Sequence, residues 1–262
     1  MKKFPFLYTI MATVVVFCAG CDREATKVAE FDLATDNKAF IKVNYSSAYQ
    51  KNPAVQLKLN DVRVSNSFIY SYPFPGGGLN TQGGSDPLFF PVEPGALKVG
   101  FSIPNVGKNT DSLPVFNTSV NLEAGKYYTL HISDTAANTQ ATLMMENVAM
   151  PDTGVSRYKF INLMPDAAGL DLYFDSVLVA GNIPYKGASP EFNLSRFTDA
   201  TRWEIRLAGA LPTSTPLATY PTTATTYSVP NRRVLNVYAR GYRSITSTTD
   251  VRRPQLSLYY VR

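Results

Sequence analysis

The sequence predicts an all-β protein in which two tandem antiparallel β-sandwich domains follow an N-terminal export signal. Short segments alternate apolar with polar residues, as half-buried strands do, and one such pattern occurs twice, at residues 55–64 and 170–179. Tyr, Phe, Thr and Val are frequent, whereas long helical patterns are absent. Apolar residues make up 45% of the 262 residues, which is enough to fill two hydrophobic cores.

The first twenty residues predict the export signal. Two lysines precede an apolar run at residues 4–17, which is too short for an ordinary membrane span. The run ends in Cys-Ala-Gly-Cys at residues 18–21, and small residues before a cysteine resemble the lipobox of bacterial lipoproteins. The resemblance implies that Cys21 is lipidated, although Cys18 stands where the motif usually has an aliphatic residue. The alternative is a plain secretory signal with a chance cysteine.

Cysteine content and charge exclude several classes of protein. If Cys18 leaves with the signal and Cys21 carries lipid, the folded part has no thiol, so disulfides, thiolate metal sites and cysteine nucleophiles are excluded. The formal net charge of +5 is dispersed, and short pairs such as Arg232-Arg233 do not form a basic stripe. We therefore expect no nucleic-acid partner.

The predicted domains are separated by a turn-forming segment at residues 150–154. A polar tether at residues 21–38 precedes the first domain, which spans residues 39–150. The second domain spans residues 155–262. The predicted strands follow in the same order in both domains, which indicates a tandem repeat.

Each domain is predicted to contain a hairpin with a two-residue loop, at residues 60–61 and 175–176. A loop of this length places the apolar side chains of both strands on one face, with Leu172 opposite Val179. We expect the core to include Leu57, Leu59, Leu172 and Phe174. The residues expected to be more exposed are Lys58, Asp171 and Tyr173.

Further one-sided strands are predicted after each hairpin. They lie at residues 97–103 and 128–132 in the first domain, and at 203–207 and 235–239 in the second. The polar residues between the apolar ones are expected on exposed outer faces. The only histidine, His131, is among them and is predicted to lie at the surface.

The repeated unit resembles a bacterial cell-envelope family known as domain of unknown function 4397. The residues that carry the resemblance are 125–129, 161–162, 164–167, 170–179 and 185–187. It implies immunoglobulin-like or transthyretin-like sandwiches on a lipoprotein of the kind that Bacteroidota export. The implied location is the outer membrane, on its periplasmic or its outer side, with the membrane as a partner through the lipid anchor. The resemblance brings no catalytic residues.

Residues 70–90 form a Gly- and Pro-rich insert with several aromatic residues, longer than the corresponding stretch of the second domain. Its aromatic and hydrogen-bonding side chains suit a glycan or an envelope protein as ligand. The candidate ligand-binding residues are Tyr70, Tyr72, Phe74, Asn80, Gln82 and Asp86. The alternative is that the aromatic rings fold back and plug the open end of the sandwich.

No catalytic residues, cofactor or metal are predicted. Three aspartates, Asp166, Asp171 and Asp175, could act as paired carboxylates or calcium ligands. However, the first copy has Gln56 and Asn60 where the second has two of these aspartates, an exchange that structural roles tolerate and catalysis does not.

The leading functional hypothesis is therefore binding or adhesion at the cell surface by a protein that is not an enzyme. A structural spacer or assembly subunit of an envelope complex is the first alternative, and a glycan-acting enzyme is the second. Binding predicts exposed aromatic residues that converge at a loop end. A spacer predicts that most of those aromatic residues are buried, and an enzyme predicts two carboxylates that face each other in a cleft.

Overall fold

The computed structural model describes residues 37–84, 86–106, 108, 110–196, 202–222 and 227–262. Residues from Asp36 to Arg262 cluster into one compact unit. Regular structure in the described stretches consists of β-strands and short 3₁₀ segments, which confirms the predicted all-β class. A membrane-spanning helix is not present in these stretches. The predicted signal peptide, Cys21 and most of the predicted tether lie outside the described residues.

The described residues of the N-terminal sandwich, residues 37–150, form ten strands. In chain order they are β1 Ala39–Ser46, β2 Gln56–Leu59, β3 Val62–Arg63, β4 Tyr72–Phe74, β5 Gly78–Leu79, β6 Phe90–Val92, β7 Gly95–Pro104, β8 Asp111–Leu122, β9 Tyr127–Ser133 and β10 Gln140–Glu146. One short 3₁₀ helix, Ala136–Asn138, lies between the last two strands.

The C-terminal sandwich, residues 151–262, contributes eight strands from its described stretches. They are β11 Val155–Asn162, β12 Gly169–Phe174, β13 Val177–Pro184, β14 Phe192–Ser195, β15 Trp203–Leu207, β16 Ala218–Tyr220, β17 Val234–Arg240 and β18 Gln255–Tyr260.

These strands form four sheets. Sheet 1 has the order β3-β2-β7-β8, and sheet 2 has the order β10-β9-β1-β4, with β6 also paired to β1. Sheet 3 has the order β14-β11-β17-β18-β5, and sheet 4 has the order β13-β12-β15-β16. Apart from that of β5, each pairing of the C-terminal sandwich has a counterpart in the N-terminal one, but β1 pairs with both β4 and β6 where β11 pairs with β14 alone.

The predicted all-β sandwich class is confirmed, and two of the four sheets are mixed and not wholly antiparallel. Strand β1 pairs in parallel with β9, and β11 pairs in parallel with β17. Parallel neighbours need a crossover connection. In each sandwich, the chain between the two parallel strands passes through the opposite sheet. The alternation of apolar and polar residues does not show which strands pair, so it could not predict this connection.

Each sandwich has its own core between its two sheets. In the N-terminal core, Leu57 and Phe101 of sheet 1 pack with Val43 and Leu130 of sheet 2. In the C-terminal core, Leu172 and Trp203 of sheet 4 are grouped with residues of sheet 3 such as Phe160 and Val237. Two packed layers with opposed apolar faces are the stable arrangement for such strands. The four predicted core residues of the hairpins, Leu57, Leu59, Leu172 and Phe174, are all buried.

Both hairpins have the predicted two-residue loops. All four loop residues, at 60–61 and 175–176, have positive φ angles, as a type I′ turn requires. Beyond the second loop, however, register shifts place Leu172 opposite Ala180, so its predicted pairing with Val179 was wrong. Val177, which follows the loop directly, is largely exposed.

The predicted exposure of Asp171 and Tyr173 was also wrong, since both are buried. The Asp171 carboxylate accepts hydrogen bonds from the backbone N–H groups of Asn182, at 2.7 Å, and Gly209, at 2.9 Å. The Arg206 guanidinium lies 4.8 Å from the centre of the Tyr173 ring. Each side chain is covered by partners that are distant in the sequence. Lys58, as predicted, is less buried than its neighbours.

Sheets 2 and 3 pack against each other through the faces that the alternation predicted to be exposed. Apolar residues such as Ile161, Tyr238 and Val261 of the C-terminal sandwich form a cluster there with Phe89 and Met144 of the N-terminal one. The molecule is therefore a stack of four sheets, in the order 1, 2, 3, 4. The polar outer positions of the two central sheets are buried between the sandwiches.

Candidate functional site

A cleft in the N-terminal sandwich brings together three of the predicted ligand-binding residues, Tyr72, Phe74 and Gln82. Its volume is about 890 Å³. One wall is formed by β3 and the connection that follows it, residues 62–68, and the other by β4 and Pro75. We call this concavity the β3–β4 cleft. It lies where the edges of sheets 1 and 2 meet.

The aromatic wall of the cleft is held by packing and strand pairing. Tyr72 pairs with Tyr45 of β1, which fixes the position of β4 at the edge of sheet 2. Its half-buried ring lies 5.4 Å, centre to centre, from the ring of Phe68. Phe68 itself is held by a backbone bridge to Val55. The cleft therefore has a rigid aromatic side.

The opposite wall supplies polar groups. The Arg63 Nε donates to the Ser65 backbone oxygen at 2.8 Å, and the Ser65 hydroxyl accepts a hydrogen bond from the Leu57 N–H, also at 2.8 Å. These contacts stiffen the segment, and they leave the side chains of Asn66 and Ser67 exposed. Such a combination of aromatic rings and a few polar groups can bind a ligand that has both apolar faces and hydroxyl groups.

Two of the predicted aromatic binding residues do not present open faces. Tyr70 is buried, and the Arg240 guanidinium of the C-terminal sandwich lies 4.6 Å from its ring centre. Phe74 lines the cleft but is also buried, with its ring 6.0 Å from that of Phe90. These rings turn inward because the strands around them supply packing partners from both sandwiches.

The remaining predicted residues, Asn80 and Asp86, lie outside the cleft. Asn80 contacts the C-terminal sandwich, where its backbone oxygen accepts hydrogen bonds from Arg240 Nη2, at 3.1 Å, and the Ser257 hydroxyl, at 3.0 Å. Its side-chain amide donates to the Leu256 backbone oxygen. Asp86 is exposed. The six predicted residues therefore do not form one site.

A buried polar network between sheets 2 and 3 was not anticipated from the sequence, and it overturns the surface position predicted for His131. The imidazole is fully buried, with Nδ1 3.2 Å from Asn44 Nδ2 and Nε2 3.4 Å from the Tyr259 hydroxyl. The Tyr259 hydroxyl in turn donates to Glu146 Oε1 at 2.9 Å. Lys159 Nζ lies 2.7 Å from Glu146 Oε2.

The electrostatics of this network follow from its burial. Burial lowers the pKa of His131 to about 4, against the opposing effect of the Glu146 carboxylate. Burial alone would raise the pKa of Glu146, but the Lys159 ammonium holds it below its ordinary value. Burial also lowers the pKa of Lys42 to about 7. Since these groups are sealed between the sheets, they can stabilise the junction but cannot reach a large substrate.

The aspartates considered for catalysis have structural contacts. Asp166 accepts hydrogen bonds from the backbone N–H groups of Arg243, at 2.7 Å, and Ser244, at 2.8 Å, which lie in a distant loop and not in its own turn. Asp171 holds two backbone N–H groups as described above. In the described part of the chain, no three His, Cys, Asp or Glu side chains converge as metal ligands would.

Comparison with known families gives one assignment. A family model described as "Domain of unknown function (DUF4397)" matches residues 41–173, which is more than half of the 262 residues. The match begins in β1 and extends through the N-terminal sandwich into β12 of the C-terminal one. No curated protein matches the chain at a significant level. The chain therefore belongs to the DUF4397 family.

Proposed function

We propose that this protein is a lipid-anchored, non-enzymatic protein of the cell envelope that binds a glycan in the β3–β4 cleft. The observation that carries the proposal is the cleft itself, where the half-buried ring of Tyr72 and the exposed polar side chains of Asn66, Ser67 and Gln82 surround about 890 Å³. That volume lies within the range of roughly 300–1,000 Å³ typical of ligand sites.

The chemistry of a sugar fits this lining better than that of a purely apolar ligand. A pyranose ring has an apolar face that packs on aromatic rings, and its hydroxyl groups need hydrogen-bonding partners. Tyr72 supplies an aromatic surface, and Gln82 and Asn66 supply amide donors and acceptors. An exposed segment of another envelope protein could use the same groups, and it is the second ligand class to test.

The anchoring part of the proposal rests on the sequence. The apolar run and the small residues before Cys21 suit lipoprotein processing, which would place the sandwiches at a membrane surface, in the outer membrane if the source is a member of the Bacteroidota. The recurring strand pairings support two tandem copies of the family domain, although the family match spans a single continuous range.

The second candidate function is that of a structural spacer, and the contacts of the insert, residues 70–90, favour it. Strand β5 pairs with β18, so that a segment of the N-terminal sandwich completes sheet 3 of the C-terminal one. This pairing and the buried network between sheets 2 and 3 join the two sandwiches firmly, as a spacer requires. Buried Tyr70 and Phe74 agree with what a spacer predicts for the insert.

The test is a binding screen of the full-length protein against immobilised glycans and envelope extracts, followed by a variant that fills the cleft. Ser67→Trp adds a bulky ring at an exposed position of the cleft wall and should abolish binding without changing the melting temperature. Ser247→Trp, at an exposed loop position of the C-terminal sandwich, is the matched control. Binding that survives Ser67→Trp excludes the cleft as the site, and a screen without any ligand favours the spacer.

A further inference from the structure

Strand β8 is a long edge strand whose outer side has no partner in the described part of the chain. It spans twelve residues, and β7 is the one strand that pairs with it there. Of the other strands at sheet ends, β3, β4 and β16 have only two or three residues each, whereas β10 and β13 have seven and eight. Short edges are one way in which proteins avoid unwanted pairing, and β8 does not use it.

Strand β8 has register shifts against β7 at Ser112 and Val115, but from Phe116 onward it lacks the other protective devices. Between Ser112 and Leu122 there is no Lys, Arg, Asp or Glu, and the single proline, Pro114, lies in the first third of the strand. Charged side chains and proline are the usual barriers to pairing at an exposed edge. From Phe116 to Leu122 the pairing with β7 is regular, so every second residue directs its backbone N–H and C=O to the outer edge, without such barriers.

The two faces of β8 differ in polarity. Phe116 and Val120 lie on the core side, where they are only partly buried against the N-terminal core. Asn117, Ser119 and Asn121 are exposed on the other side. A strand added to this edge would cover the open flanks of Phe116 and Val120 and extend the apolar face of sheet 1.

We propose that β8 pairs antiparallel with β8 of a second copy of this chain, with Thr118 on the two-fold axis. In this register Phe116 of each copy lies opposite Val120 of the other. Asn117 lies opposite Ser119, and Thr118 lies opposite itself. From Phe116 to Val120, opposed residues then have the same polarity and lie on the same face of a continuous eight-stranded sheet.

Self-pairing explains the composition of the strand better than an unrelated partner does. In a two-fold antiparallel pair, each residue meets a residue of the same short segment, so a cluster of like charges would repel itself. Strand β8 has no such charges, and its Phe–Val and Thr–Thr pairs are combinations that stabilise neighbouring strands. The two-fold axis also closes the assembly at two copies.

The test measures the mass of the full-length chain by sedimentation equilibrium in a density-matched detergent. The wild type should form a dimer. In N117K/S119K, each new lysine faces a lysine of the other copy, and the dissociation constant should rise at least about tenfold. In N117E/S119K each glutamate faces a lysine, so the dimer should be retained.

These two variants form a matched pair. Both contain Ser119→Lys, so the contact between this lysine and Lys98, its neighbour on β7, is the same in both. Both altered positions are exposed, so neither variant disturbs the hydrophobic core, and the melting temperature of each variant checks the fold separately. A wild type that stays monomeric at every concentration, or a dimer that N117K/S119K leaves intact, overturns the proposal. Equal disruption by both variants contradicts the Thr118-centred register.

Discussion

His131 and Tyr259 are joined across the junction between the two sandwiches, with His131 Nε2 3.4 Å from the Tyr259 hydroxyl oxygen. The Ser46 hydroxyl donates to Asn44 Oδ1, so Asn44 Nδ2 donates to His131 Nδ1. His131 is thereby held as a neutral imidazole that donates from Nε2 to Tyr259. The chain of hydrogen bonds continues from the Tyr259 hydroxyl to Glu146, and it links a buried residue of β9 to one of β18.

Acid should weaken this junction, because protonated His131 could no longer accept the hydrogen bond from Asn44. The pKa of His131 is lowered from 6.5 to about 4 in the folded protein, so the unfolded chain takes up the proton first as the pH falls. Stability should therefore decline from about pH 6.5 to pH 4, by at most about 1.4 kcal/mol per pH unit. The measurement is the urea midpoint at pH 6.5 and at pH 5.

The matched control is His131→Gln, which keeps an amide at this position but cannot titrate. Its urea midpoint should change much less between the two pH values than that of the wild type, because only the smaller contribution of Lys42 remains in this range. Glu146 does not interfere, because its pKa lies below the ordinary value of 4.5 and its effect begins only at lower pH. The chain has no other histidine. A wild-type midpoint that does not move between pH 6.5 and 5 would contradict the assignment.

Lys42 should make stability rise on the alkaline side. Its ammonium is buried, donates to the Tyr260 backbone oxygen at 2.8 Å and lies 5.1 Å from the centre of the Phe89 ring. Burial lowers its pKa from 10.5 to about 7, so between these values the unfolded chain binds more protons than the folded one. Stability should increase from pH 7 to pH 9, because folding releases the Lys42 proton and a rising pH favours that release.

Lys42→Met should remove this alkaline increase, because a similar apolar chain fills the same space without a proton to lose. Lys98→Met is the control, since Lys98 is exposed and pairs with Asp61 at the surface. The comparison uses guanidinium midpoints at pH 7 and pH 9, below the range in which the tyrosines titrate. An identical slope in the wild type and in Lys42→Met would refute the prediction.

The sequence was sufficient for the parts of the fold that depend on local pattern and turn chemistry. Residues such as Leu57 and Leu172 alternate with polar neighbours, and Asn60-Asp61 has the residue types that a type I′ turn favours, so both hairpins and their cores could be predicted. Alternation defines two faces of a strand, but it does not show what covers the second one. For that reason the burial of His131 and Lys42 could not be foreseen.

Only one wall of the candidate site could be predicted from the sequence. The insert was selected for its aromatic residues, and Tyr72 does line the cleft. The opposite wall, residues 62–68, comes from a connection without a distinctive pattern, and it reaches the cleft only through the packing of the two sheets. Strand β5 has just two residues, Gly78 and Leu79, and it is a strand because β18 supplies a partner for it.

The hairpin of the C-terminal sandwich permits a matched test of burial. Leu172→Ala should cost about 2–5 kcal/mol, because Leu172 is fully buried between sheets 3 and 4 and its truncation leaves a cavity. Val177→Ala, five residues further on, should change stability by less than about 0.5 kcal/mol, because Val177 is 64% exposed. Chemical denaturation measures both, and equal effects would refute the register of the hairpin.

Lipidation of Cys21 is tested separately from the fold. Cys21→Ala should abolish incorporation of a labelled fatty acid and leave unprocessed or soluble protein. Cys18→Ala is the control and should retain the label, because residue 18 is predicted to leave with the signal. Labelling that persists in Cys21→Ala would exclude lipidation at this residue.

The insert should prove to be a structural link between the sandwiches as well as a wall of the cleft. Replacing residues 75–86 with a short Gly-Ser linker removes β5 and the backbone oxygen of Asn80, which accepts hydrogen bonds from Arg240 and Ser257. Arg240 is buried, so the loss of a partner leaves part of its charge uncompensated.

We expect this replacement to destabilise the protein by about 3 kcal/mol or more, seen as a lower melting temperature in calorimetry. Gln82→Ala is the control, because this exposed side chain lines the cleft without contributing to the pairing of β5 with β18, and it should leave the melting temperature unchanged. If the linker variant melts like the wild type and loses only ligand binding, the insert is a binding loop and the pairing of β5 with β18 contributes little to stability.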